Sequence, residues 1–269
     1  MASLQTHYSA RDIEARILAG IRAAGLNPEQ RLTPEALGAL DHFHTGGLRA
    51  SRELLEVAQI QAEHRVLDIG AGLGGSARLL ASAVGCRVDC IEMSTDYCAG
   101  AALLNRLTGL EDRIKVHQGS ALDLPFTDGS FDLVWMQNVG MNIADKRKLY
   151  GEISRVLKPG GRYAFQEMTA GKVAMSYFPL PWATDPADNF LVPADDMSSI
   201  LEGCGFIAEL FEDTSDIHMS RTAAIATPAA PGQLGLAVFV DNLAQKAGNA
   251  RRSLEEGQVR LVRGIFRAK

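Results

Sequence analysis

The chain has 269 residues, 26 glycines, 10 prolines and a formal net charge of −5. That length buries a sizeable core in one large or two small domains, and the mild acidity leaves no electrostatic footprint for nucleic acid or an anionic membrane. No apolar run approaches the ~20 residues of a membrane span, and residues 1–11 lack a hydrophobic signal core.

The first 60 residues read as helices. Ser9 is placed to cap a helix with Asp12 three residues on, and Ile13, Ile17, Leu18 and Ile21 form its apolar stripe, with Gly25 at its end. Thr33-Pro34-Glu35 has the cap and proline order of a second helix start. A third helix is expected over 51–58, carrying Leu54, Leu55 and Val57. Between the last two lies Asp41-His42-Phe43-His44-Thr45-Gly46-Gly47, polar and glycine-rich, and expected to be a loop outside the core.

From residue 65 strands and helices alternate. Strands are predicted over 65–69, 87–92, 114–118, 131–136 and 162–168, and helices over 76–83, 94–107 and 144–157. Ser94 suits a cap and Gly109 an end. This alternation argues a parallel sheet covered on both faces. Residues 169–192 break the pattern with three prolines, Pro181 among them, and with Tyr177, Phe178 and Trp182. A patternless stretch of that length is expected to be a lid or binding loop, or else a small satellite core. A helix at 194–204 and a strand at 206–214 resume the fold. A linker through Pro228 and Pro231 leads to a helix with Leu236, Phe239, Val240 and Leu243, and a last strand is expected over 259–267. Cys86, Cys90, Cys98 and Cys204 form no C-x-x-C pair, so reduced, core-packed thiols and a cytoplasmic setting are expected. Arg251, Arg252, Arg260, Arg263 and Arg267 read as a solvated basic face.

The chemistry concentrates where strands end. Val66-Leu67-Asp68-Ile69-Gly70-Ala71-Gly72-Leu73-Gly74-Gly75 is a strand running into a glycine loop and a helix start, the arrangement that brings backbone N–H groups close to a ligand. Glu92, at the carboxyl end of the second predicted strand, is positioned to accept hydrogen bonds from both hydroxyls of a ribose. Gly119-Ser120-Ala121-Leu122-Asp123-Leu124-Pro125-Phe126 precedes Phe131-Asp132, and Leu157-Lys158-Pro159-Gly160-Gly161 joins a helix to a strand. No Cys/His/Asp set has metal-ligand spacing, so no metal is expected.

Taken in order, these blocks resemble S-adenosylmethionine (SAM)-dependent methyltransferases with a Rossmann-like fold. The resemblance is to the branch that includes sarcosine/dimethylglycine N-methyltransferases, ubiquinone/menaquinone C-methyltransferases and natural-product methyltransferases. It implies a seven-stranded, mostly parallel α/β sheet with helices on both faces, an N-terminal helical cap over 1–60, and a core over 61–269 with a lid insertion after the fifth strand. It further implies SAM as cofactor and S-adenosylhomocysteine (SAH) as product. Gly46, Gly47, Asp68, Gly70, Ala71, Gly72, Glu92, Met93, Ser120, Ala121, Leu122, Gln137 and Asn138 are the cofactor-binding residues it marks. Ser120 is a departure, because the family carries an acid there for the adenine amino group, and Asp123 is not an assured substitute.

Methyl transfer from a sulfonium needs a base only if the acceptor arrives protonated. The base candidates are His44, Tyr8, His42 and Glu167, with His44 and Tyr8 taken as the catalytic pair. His44 has the competing role of shaping its loop, and Glu167 those of a substrate-cation contact or a solvated strand end. Tyr177, Phe178 and Trp182 are the expected substrate lid. The expected partner is a small-molecule acceptor, with neither nucleic acid nor membrane, and with monomer or homodimer open. Two alternatives are a SAM-binding protein without catalysis and an NAD-dependent oxidoreductase. The second is disfavoured because Tyr150 is followed by Ser154 where a Tyr-x-x-x-Lys set needs lysine.

Overall fold

A computed structural model describes residues 12–223, 235 and 240–269. Three helices come first: α1 (Ile13–Ala23), α2 (Pro34–Asp41) and α3 (Gly47–Ala58). The Rossmann-like unit follows as β1 (Arg65–Ile69), α4 (Gly75–Ala83), β2 (Arg87–Glu92), α5 (Thr95–Thr108), β3 (Ile114–Gln118), β4 (Phe131–Gln137), α6 (Lys146–Val156) and β5 (Leu157–Ala170). The chain continues through α7 (Ala194–Gly203), β6 (Phe206–Asp213), α8 (Ser215–Ala223), α9 (Leu243–Glu255) and β7 (Val259–Ala268).

The seven strands lie in the order β3-β2-β1-β4-β5-β7-β6, with β7 antiparallel to both neighbours. The parallel strands are buried on both faces, and their side chains alternate between two clusters. Val66, Leu133 and Trp135 join one, while Leu67, Val134 and Met136 join the other. Cys86 and Cys90 sit in the first of these clusters, where burial pushes both thiols up. The N-terminal helices form a third cluster. In it Ile13, Ile17 and Ile21 pack with Tyr97 and Leu104 of α5 and with Leu73 of the glycine loop.

Several local expectations match. Thr33 Oγ1 accepts the Ala36 N–H and Ser94 Oγ accepts the Tyr97 N–H, each at 3.3 Å. Gly109 follows α5 with φ +63°. Other expectations need correction. The Leu157–Gly161 stretch is an irregular first part of β5 rather than a separate turn, with a register shift against β4. α3 starts four residues earlier than expected, at Gly47. The helix expected around Leu236 and Phe239 begins, within the described residues, only at Leu243, while Pro228, Pro231, Leu236, Phe239 and the Ser9 cap lie outside them. α8 was not expected at all.

The stretch after β5 is packed, not structureless. Leu180 and Trp182 are buried with Met141, Met168, Leu254 and Val259 in a satellite core. The Trp182 indole N–H donates to Asn189 Oδ1 at 2.9 Å. Of the basic C-terminal arginines, Arg251 pairs with Glu255, Arg252 with Glu256 and Arg267 with Glu209 at the surface, whereas Arg263 is mostly buried against Glu212 and does not belong to a solvated face. No helix among the described residues is long and apolar enough to cross a membrane.

β7 carries Gly264 opposite Phe165 of β5, and a Cβ on it would run into the Phe165 ring. Gly264→Ala is therefore expected to lower stability by about 1–3 kcal/mol through overpacking. A urea midpoint shifted downward with unchanged slope would confirm it, and an unshifted midpoint would refute it.

Candidate functional site

The site lies at the carboxyl ends of β1, β2 and β4, where the order of the parallel strands reverses between β1 and β4. Ligands of open α/β sheets bind at this point. A cavity of about 670 Å³ opens there. Its floor is the glycine loop. Gly70 takes φ +67°, and a Cβ on it would run into the Val139 side chain, so the β1 and β4 loops approach closely only because the residue is glycine. Gly72 takes φ +55°, and a Cβ there would meet nothing within 4 Å, leaving space for a ligand against the backbone. α4 begins at Gly75, so its N-terminal N–H groups and positive dipole end abut the loop.

Two acids define the electrostatics. Asp68 is 3 % exposed; burial, then the charge of Glu92, pushes its carboxyl up to about 8. Its Oδ2 is buried without a hydrogen-bond partner. Glu92 accepts the Gly72 N–H at 3.0 Å and the Ser94 N–H at 2.9 Å, and burial raises it despite those bonds. Both line the cavity. Gln137 also lines it. Its Oε1 takes three donors, Ser51 Oγ, Ser76 Oγ and Trp135 Nε1, each at 2.9 Å, and its buried Nε2 has no partner. The cavity lining therefore offers a spare acceptor on Asp68 of β1 and a spare donor on Gln137 of β4.

The segment after α2 is held by a buried node. Arg78 of α4 is wholly buried and donates to Asp41 Oδ2 at 2.7 Å, Leu73 O at 2.6 Å and Asn105 Oδ1 at 2.8 Å. Asp41 and His42 are thus core residues, contrary to the expectation of an exposed loop, because an arginine on α4 needs a buried carboxylate. Thr45 is fixed from the other side. Its carbonyl accepts from Gln166 Nε2 at 2.7 Å and its hydroxyl from Asn138 Nδ2 at 3.3 Å.

The expected site residues mostly converge. Gly46, Asp68, Gly70, Ala71, Gly72, Glu92, Met93, Ser120, Ala121, Leu122, Gln137 and Asn138 all line the cavity, whereas Gly47 does not and instead opens α3. Ser120 Oγ accepts the Leu122 N–H at 3.1 Å, and Asp123 is exposed and off the cavity wall.

The base candidates fare differently. His44 lines the cavity, but its Nε2 lies 3.0 Å from Ser51 Oγ and its Nδ1 3.4 Å from Thr45 O. Burial and the neighbouring His42 lower it to about 3, so the ring is neutral and occupied within its own loop. His42 is lowered to about 4 and bonds Ser51. Glu167 is neither solvated nor in the cavity. It is 1 % exposed and accepts the Val139 and Gly140 N–H groups at 3.0 Å, which fixes the 3-10 turn Gly140–Asn142. Lys146 donates to Gly140 O and Ile143 O of the same turn. Tyr8 lies outside the described residues.

Of the three expected lid aromatics only Trp182 reaches the cavity, joined by Pro181, Asp188 and Phe190 of the same stretch. Tyr177 points outward, its hydroxyl donating to Glu256 at 2.7 Å and its ring under the Arg252 guanidinium at 4.1 Å. Phe178 packs on the satellite core. Sequence reasoning missed the α9 contribution, although Leu243, Ala247, Ala250 and Leu254 are spaced as one helical stripe. It also missed His218 and Met219 on α8, for which no sequence signal stands out. Among the described residues no group of three His, Cys, Asp or Glu side chains is arranged to hold a metal ion.

Residues 67–165 match the family described as a methyltransferase domain. Over 130 residues the chain is 38% identical to a glycine/sarcosine/dimethylglycine N-methyltransferase of Actinopolyspora halophila, covering 48% of this chain and 23% of that protein. It is 34% identical over 130 residues to methyltransferase GfsG of Streptomyces halstedii, covering 48% and 47%. The chain thus spans less than half the length of these curated relatives. A putative sarcosine dimethylglycine methyltransferase of Galdieria sulphuraria shares the fold with a TM-score of 0.65 at 22% identity, covering 94% of this chain and 98% of that one.

Removing the Arg78 guanidinium strands a buried carboxylate. Arg78→Met is expected to cost about 3–5 kcal/mol, and adding Asp41→Leu to recover much of that. Urea unfolding of both variants checks this, and a double variant no more stable than the single one would contradict it.

Proposed function

We propose that this chain, which carries a methyltransferase domain over residues 67–165, is a SAM-dependent methyltransferase that acts on a small molecule. The observation that carries the reading is the Asp68–Glu92 pair. A buried acid with an orphan oxygen, Asp68, and a half-buried one, Glu92, line a cavity beside a glycine loop. Buried carboxylates call for a cation or strong donors. SAM fits that demand, with an ammonium, a sulfonium and two ribose hydroxyls.

Bound there, SAM supplies an electrophilic methyl carbon: the new bond forms from an acceptor nitrogen, oxygen or carbon, the C–S electron pair stays on sulfur, and any displaced proton goes to solvent. The chain's residues bind and orient. Glu92 keeps lone pairs for ribose hydroxyls beyond its two backbone bonds. Asp68 Oδ2 accepts from the ammonium, and Gln137 Nε2 donates to a carboxylate. Ser120, Ala121, Leu122 and Met93 form the adenine end. The 3-10 turn held by Glu167 and Lys146 sets the height of Asn138–Asn142 over the donor. His44 holds the Thr45 loop in place rather than taking a proton. Orientation of this kind is worth roughly 7–11 kcal/mol in well-aligned systems.

Calorimetric titration with SAM and SAH tests the reading directly, and no binding of either ligand would sink it. The pH dependence tests its electrostatics. In the ligand-free fold Asp68 stays protonated up to about 8 while the unfolded chain ionises it first, so its contribution to stability is lost as pH rises through about 8. A cation beside it lowers that value. Binding below about 8 therefore releases a proton, weakens by up to about tenfold per pH unit, and levels off above. Titrations in buffers of different ionisation enthalpy read the proton, and Asp68→Asn should abolish the slope. Ser120→Asp should tighten SAH binding by about fivefold, the difference of about 1 kcal/mol between a neutral and a charged hydrogen bond. Unchanged or weaker binding would show that Ser120 does not face the adenine amino group.

A further inference from the structure

We infer that the methyl acceptor is a neutral, largely apolar molecule and not a small zwitterionic amino acid, an inference that rests on the methyltransferase reading above. The cavity has two chemically distinct ends. The glycine-loop end holds Asp68, Glu92 and the spare hydrogen-bonding atoms. The far end is walled by Met141, Met168, Trp182, Phe190, Ala250 and Leu254, from four separate parts of the chain. Met141, Met168 and Leu254 are 5% exposed, so this wall is part of the satellite core and not a solvated rim. The Trp182 Nε1 is already bonded to Asn189, so the indole's one polar atom is committed outside this wall. Phe190 of the same lining keeps 37% of its surface exposed. Methionines give such a wall an adaptable surface.

Charge points the same way. A carboxylate or phosphate on the acceptor needs a guanidinium or ammonium donor once water is excluded. Among the described residues Arg251 is the one lysine or arginine on the cavity lining, and its Nε is bonded to Glu255 at 2.8 Å with half its side chain in solvent. Beyond the described residues the sequence adds only Arg11 as a further full cation. The lining also carries Asp145 and Asp188 in addition to Asp68 and Glu92. An anionic acceptor would enter an apolar chamber whose one lysine or arginine among the described residues is already paired with Glu255, which works against its binding. A hydrocarbon or aromatic body gains by leaving water there.

The test uses N-phenyl-1-naphthylamine, an uncharged dye whose fluorescence rises in apolar surroundings, and sarcosine as the zwitterionic competitor class. The dye should bind saturably at one site per chain, with and without SAH. Ala250→Trp, which fills the far end, should weaken dye binding by about tenfold while SAH affinity stays within about twofold. Ala247→Trp, one turn earlier on α9, should do the same should the first variant fold poorly. Calorimetry with sarcosine in the presence of SAH should show no heat of binding. The inference is overturned if sarcosine binds saturably, if the dye fails to bind, or if its binding is indifferent to both substitutions. Failure of SAH itself to bind strikes the methyltransferase reading, while the dye titration without SAH still reads the far end on its own.

Discussion

The structure depends on one buried charge, Arg78. Its guanidinium joins three parts of the chain that are distant in sequence: Asp41 at the end of α2, Leu73 in the glycine loop, and Asn105 on α5. A wholly buried arginine survives only when most of its donors are met; here both terminal nitrogens are bonded and Nε alone lacks a partner. Leu73 sits with Ile13, Ile17 and Tyr97, and Leu40 anchors the turn of α2 before Asp41. The N-terminal helices are therefore tied to the glycine loop by the same node that shapes the loop. The segment from Phe43 to Gly46 then reaches the cavity from a fixed anchor.

The polar shell behind the cavity is organised on the same principle. Most buried side-chain donors are consumed by internal partners. Glu167 and Lys146 look like chemistry-bearing residues, yet both are used to hold the Gly140–Asn142 turn. His42 and His44 are likewise taken up by Ser51 and by the Thr45 carbonyl. Six buried side-chain atoms stay unmatched among the described residues: Arg78 Nε, Thr169 Oγ1 and Ser253 Oγ away from the cavity lining, and Asp41 Oδ1, Asp68 Oδ2 and Gln137 Nε2 on residues of that lining. In a well-satisfied interior those on the lining mark where a ligand's own groups complete the network. This separation also divides labour between the cavity's ends. Polar exceptions sit near the sheet, and the satellite core built from β5, β7, α9 and the stretch after β5 supplies apolar surface beyond them.

Much of this was legible in the sequence. Strands β1, β2 and β3 fall where the pattern places them, because buried parallel strands are short apolar runs between punctuating glycines and caps. Twelve of the thirteen expected cofactor residues line the cavity, since the glycine loop and the strand ends carry local signals for backbone approach. The misses have a common cause. Asp41, His42 and Glu167 are polar, and sequence patterns assign polar residues to the surface unless a partner is visible. Their partners lie 37 residues away for Asp41 and 27 or 28 for Glu167. Tyr177 and Phe178 were grouped with Trp182 by aromatic content, but only the backbone path of the stretch decides which ring turns inward.

The sequence by itself determined the alternating α/β order, the glycine loop, the strand-end acids Asp68 and Glu92, and the resemblance those blocks support. Each is local, set by a few adjacent residues and their backbone preferences. Only the tertiary structure decided which polar groups are left for a ligand and which are spent on the fold. It also decided that Met141, Met168, Trp182 and Leu254 form a single wall. Those outcomes depend on contacts between segments far apart in the chain, where packing and the demand for buried hydrogen-bond partners outweigh local preference.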